Sequence, residues 1–313
     1  MGATQASASA LRQHIRAERI KLPEACSRRS LVWTVLFAGR PFAWLSAAVV
    51  LAGSGLSGWL VWPLAAVALL IAQRHLQTLV HDASHGFYHR KSALNDPLAD
   101  WLAAGWIGMT VGNYRRIHFQ HHAHNGSAAD PEHVSLATVA ETGGLLGMVL
   151  RYACLREALR LVRKYYGAAE RAGGAAQAPS GHLHILGSQL LLATLCLAAG
   201  MPAVYLLWLY LAVSWSPLLS RLRFLVEHPG ESDITVSTRA GWWERLLFAP
   251  LNFNLHFEHH CWPGVPPYRL PQAHRFLRAA GFYERHPEYA NEGFVGALLR
   301  RRQEQRAAGE ALA

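Results

Sequence analysis

The chain has 313 residues, of which 51% are hydrophobic and only 16% charged. Soluble domains average about a quarter charged residues, so this balance points away from an ordinary soluble protein and toward a membrane. A net charge of +10 would suit nucleic acid or anionic lipid equally well, and the placement of the charges decides for lipid.

Residues 1–30 are polar and basic, with no compact apolar run ahead of a small-residue cleavage site, and are expected to form a cytoplasmic tail that is not removed. From Pro41 to Gln73 there is no Lys, Arg, Asp or Glu, and the segment breaks at Gly53-Ser-Gly-Leu-Ser-Gly58. Two runs of close to the ~20 residues that cross a bilayer result, a helical hairpin over about 31–75. A second charge-free hairpin over about 183–219 breaks at Gly200-Met-Pro202. The thirty Lys and Arg residues lie outside both charge-free stretches. By the positive-inside tendency both termini and the connection between the hairpins are cytoplasmic, in a membrane of the bacterial inner type. Between the hairpins, Leu98–Val111 follows Asn95-Asp-Pro97 and contains Trp101 and Trp106, and is expected as an interfacial helix. Residues 151–171 read as a basic surface helix, 168–181 as a loose Ala/Gly connection, and 294–311 as a basic C-terminal helix. The expected class is an all-α membrane protein of four transmembrane helices in two hairpins with a cytoplasmic helical cap. Its divisions are an N-terminal tail (1–30), a membrane domain (31–276) and a basic tail (277–313).

The histidines set the chemistry. His81-Asp-Ala-Ser-His85, His118-Phe-Gln-His121-His122 and His256-Phe-Glu-His259-His260 form three boxes on the cytoplasmic side of the expected spans. With 18 histidines in the chain, chance gives roughly 0.06 matches to His-x-x-His-His by simple counting, and two are present. On a helix the i, i+3 and i+4 positions leave one face within a turn, so the clusters are metal ligands, whereas isolated His14, His75 and His182 are structural or solvated. Eight histidines exceed the four ligands of one zinc ion, and imidazole alone does not choose among iron, copper, nickel and zinc. The four cysteines have no paired spacing and are expected to ligate nothing, with Cys261 a small packing residue.

These boxes, interleaved with two hydrophobic hairpins, resemble the membrane fatty-acid desaturase superfamily of non-haem di-iron desaturases, hydroxylases and ketolases. Pro263-Gly-Val-Pro-Pro-Tyr-Arg-Leu-Pro271 with His274 is similar to the tail that often follows the family's last box. The resemblance implies two Fe ions held by His81, His85, His118, His121, His122, His228, His256, His259 and His260, with His228 the extra histidine between the second and third boxes. Asp82, Glu227 and Asn252 would orient the imidazoles, with a helix N-cap as the alternative for Asn252. It further implies O2-dependent oxidation of a lipid or acyl substrate, most simply to an alkene, with electrons from a separate donor such as an acidic ferredoxin. The alternatives are a hydroxylase or ketolase of a carotenoid, a desaturase of a specialised small metabolite and, from another class, a metal transporter. Transport fits poorly, because intramembrane polar residues are what mark ion pathways and these spans are bare.

Overall fold

The computed structural model describes residues 20–125, 127, 129–132, 144–160, 182–229, 234–300 and 303. The expectations for 1–19, for the Ala/Gly connection and for the end of the C-terminal helix lie outside them. The chain divides into two compact units, Thr34–Tyr114 with Ala137–Leu219, and Met1–Trp33 with Arg115–Leu136 and Ser220–Ala313.

The first of these contains the apolar helices. α1 (Leu31–Ala52) and α2 (Gly58–Ser84) are separated by the expected glycine-rich turn, and both are long and apolar enough to cross a membrane. α2 does not stop near Gln73 as expected but continues through His81, with His85 as its C-cap residue. Its polar residues extend the helix because they bond back onto it or to a neighbour: His75 Nδ1 lies 2.8 Å from Ile71 O, Thr78 Oγ1 donates to Arg74 O, and Gln73 donates to Trp208 O at 2.7 Å. At 1.5 Å per residue, the 27 residues of α2 reach about 40 Å, well beyond the ~30 Å hydrocarbon layer.

The segment expected as one interfacial helix is instead broken. α3 (Ser92–Ala99) begins before Asn95, then gives way to a π-helical turn (Asp100–Ala104) and a 3-10 turn (Gly105–Ile107). Such turns leave carbonyls in need of donors. Trp208 Nε1 and Gln189 Nε2 donate to Trp106 O, and Gln189 also to Gly105 O. α6 (Leu183–Ala198) closes on this segment so tightly that a Cβ on Gly105 would sit 2.6 Å from His184 O, and one on Gly187 2.7 Å from the Trp101 ring.

Here α4 is Val111–His124, α5 Gly144–Ala153, α7 Pro202–Val213 and α8 Trp215–Glu227. Gly200 at φ +70° makes the expected break between α6 and α7. α7 and α8 together make the third stretch long enough to span, whereas α6 has only 16 residues. Three spanning helices are therefore present by length among the described residues.

The second unit is organised around a short parallel pair, β1 (Ser237–Arg239) and β2 (Ala290–Glu292), with Ser237 opposite Ala290. Strands of three residues carry no legible alternation, and the all-α expectation is corrected to a mostly helical fold with one two-stranded sheet. Besides the ends of α4 and α8, its helices include α9 (Trp242–Leu247), α10 (His256–Cys261), α11 (Leu270–Ala279) and α12 (Phe282–Arg285), and residues 294–300 are also helical, the start of the expected C-terminal helix. The chain after 276 contributes Leu277, Phe282 and Tyr289 to a buried cluster with Phe257 and Cys261 of α10.

Asn95, fully buried, ties the stretch after His85 to the helices: its amide donates to Ala83 O at 2.8 Å and its oxygen accepts from the Tyr88 and His89 N–H groups, both at 3.2 Å. Asn95→Ala leaves these groups unpaired and should lower stability by about 1–3 kcal/mol, read as a drop in the thermal midpoint in detergent. An unchanged midpoint would mean that the stretch is held elsewhere.

Candidate metal centre

Helical phase sorts the clustered histidines. Positions i and i+4 differ by about 40° around the axis, while i+3 lies about 60° to the other side of i. In α4, His118 and His122 project together and His121 diverges; in α10, His256 and His260 project together and His259 diverges. Within the second unit the divergent residue of each box joins the pair of the other. His122 Nε2 lies 3.0 Å from both His118 Nε2 and His259 Nε2. His121, His228, His256 and His260, all buried, bring their ligand nitrogens within 4.8 Å of one another. His228 follows the end of α8, its N–H bonded to Phe224 O, and its Nε2 lies 3.0 Å from His256 Nε2. The boxes are thus interleaved, each contributing to two sets of imidazoles. His81 and His85 belong to the other unit, where their rings lie 5.1 Å apart.

The donor sets fit metal ions. Nitrogens separated by 3.0–3.2 Å match the edge of an octahedron with bonds of about 2.1 Å, which is about 3.0 Å. Burial, reinforced by the neighbouring imidazoles and, at His256, by the Arg223 guanidinium, holds the pKa values of His256 and His260 well below the usual histidine value, keeping the neutral form that binds metal. His121 Nε2 is buried with no hydrogen-bond partner, while its Nδ1 lies 2.8 Å from Asp130 Oδ2. A carboxylate behind a histidine whose other nitrogen is unmatched is the usual arrangement behind a metal ligand.

Asp130 was not among the expected residues. Its signal was an acidic residue in Asp130-Pro-Glu132 just beyond the second box, where helical spacing no longer applies. Asp130 is itself oriented by the Glu132 N–H, and Glu132 Oε1 lies 3.5 Å from His118 Nδ1.

The three residues expected to orient imidazoles differ. Asp82 Oδ1 lies 3.1 Å from His81 Nδ1. Glu227 Oε2 lies 3.7 Å from His256 Nε2, beyond hydrogen-bond reach, and 3.0 Å from Arg223 Nε. For Asn252 the capping role is corrected: Leu255 precedes the first helical residue of α10, and Asn252, at φ +66°, donates its amide to Pro267 O at 3.1 Å. Asparagine tolerates the left-handed conformation better than most residues, so a turn role displaces the capping one.

The fatty acid desaturase family model matches residues 57–292, more than half of the chain, and covers all three boxes and His228. The chain belongs to the fatty acid desaturase family. No curated protein matches it. In this desaturase-family chain the phase of α4 and α10 divides the histidines of two boxes between two sets of imidazoles.

Asp130→Asn keeps the shape but removes the charge behind His121. It should weaken metal binding 10–100-fold with little change in helicity, measured by metal titration of the detergent-solubilised protein. Wild-type affinity in this variant would remove Asp130 from the centre.

Proposed function

We propose that the chain is an oxygen-dependent di-iron oxidase of the inner membrane, a fatty-acyl desaturase that introduces a carbon–carbon double bond. The observation that carries this reading is the interleaving of the boxes in a desaturase-family chain. His121, His228, His256 and His260 would hold one iron. His118, His122 and His259 would hold part of the other shell, and the box pattern assigns His81 and His85 as the ligands that complete it. When bound, the irons supply oxygen activation and hydrogen removal from an unactivated carbon. The chain's own contribution is to present His256 and His260 as neutral imidazoles, to hold His121 by Asp130 and His81 by Asp82, and to bury the set of His121, His228, His256 and His260.

The charge-free stretch 185–219 supports four crossings with the boxes and both termini on the cytoplasmic side. Taken alone, α6 reaches only about 24 Å, so this crossing needs local thinning of the bilayer. Electrons would come from a separate acidic donor. Arg245 and Arg275, with Arg239, which also pairs with Glu292, line an open cavity of about 450 Å³ beside Leu255, with no acidic residue in its lining, and this concentration of positive charge supports such a partner.

Cells expressing the wild-type chain should accumulate acyl chains lighter by two hydrogens, detected by mass spectrometry of extracted lipids. Cells expressing His259→Ala, or depleted of iron, should not. Products heavier by an oxygen would assign hydroxylation, and no product with zinc or nickel uptake would assign transport.

A further inference from the structure

α10 has six residues and no side-chain cap of its own, far short of what an isolated helix needs in water. Yet its ligands must point in two directions at once. With ligand nitrogens about 6 Å from the axis, a 10° rotation of the helix moves each by about 1 Å, beyond the roughly 0.5 Å tolerance of a preorganised site. Some contact must fix its azimuth from behind.

Glu258 is placed to do so. It follows His256 by two residues and precedes His259, which turns it away from the ligand face, and it is fully buried. Three elements converge on its carboxylate: Ser237 of β1 donates its hydroxyl, Tyr283 of α12 its phenol, and His274 of α11 its Nδ1–H at 2.5 Å. Among the described residues no Lys or Arg pairs with it, so these donors are what satisfy a buried acceptor. Ser237 Oγ also accepts from the Phe257 N–H at 3.1 Å, capping α10 from a neighbouring strand. The Tyr283 ring packs on His274 and Phe257, with centroids 5.0 and 6.0 Å apart.

We propose that Glu258, His274 and Tyr283 are positioning residues that lock the rotation of α10, so that His259 faces one metal centre while His256 and His260 face the other. The inference rests on the metal-binding reading above and gives a task to two sequence features it left idle, the acidic residue inside the third box and the histidine that closes the proline-rich stretch.

Cobalt(II) titration of the full-length protein in detergent, followed by visible absorption and by far-ultraviolet circular dichroism, tests it. Wild type should take up two ions. His274→Ala and Tyr283→Phe should keep the helical signal but bind cobalt about tenfold more weakly, with a shifted visible band. His274→Asn, whose amide can donate from the place of Nδ1, should recover most of the loss. Tyr283→Phe removes one hydroxyl only and keeps the test open where a Glu258→Gln chain does not fold. Wild-type affinity and an unshifted band in both His274→Ala and Tyr283→Phe would overturn the clamp while leaving the metal reading intact. Failure of the wild-type chain to bind two ions would sink both.

Discussion

The site depends on a five-residue stretch without any histidine, Thr235–Arg239. Four elements are tied to it. The Val236 N–H donates to Glu227 O at the end of α8, next to His228; the Thr238 N–H donates to Asn254 O, and Asn254 returns a bond to Thr238 O, just before His256. Asn125, one residue past the end of α4, donates to Thr235 Oγ1 at 2.9 Å. Ser237 caps α10 and bonds Glu258, and β2 covers the other edge. Three ligand-bearing segments distant in sequence are thereby gathered on β1 and the two residues that precede it. Each bond is worth about 1 kcal/mol net; their shared location gives them their effect.

Helical phase then does the rest. A His-x-x-His-His box presents a pair and a divergent third residue. Two such boxes facing each other, with one histidine added, give the second unit two sets of imidazoles from a single repeated spacing. At His256 and His260 burial favours the uncharged ring, the form a metal requires, and the Asp130 carboxylate orients the ring of His121.

Much of this was legible in the sequence. The box histidines stood out because their spacing matches a helical turn, and the charge-free runs because a bilayer tolerates little else. Both are periodic or compositional signals, read over many residues at once. What stayed hidden depended on single contacts across long separations. Asp130 was one acidic residue in a loop, Glu258 looked like filler between ligands, and His274 was a letter in a tail whose use was unassigned. β1 and β2 were too short to show alternation. The extension of α2 through His81 was missed because Gln73 and Arg74 read as the end of a span, whereas Gln73, His75 and Thr78 find partners that let the helix continue. The break over Asp100–Ile107 had no local signature; the donors of α6 and α7 that meet the Gly105 and Trp106 carbonyls belong to distant parts of the chain.

The central claim is that the repeated box serves two ions by helical phase. Native mass spectrometry of iron-loaded protein released from detergent tests it most directly. The account predicts two irons per wild-type chain, and one per chain when both His256 and His260 are replaced by Ala, because the set containing His259 survives. A wild-type chain that holds a single iron, or a double variant that still holds two, would contradict it.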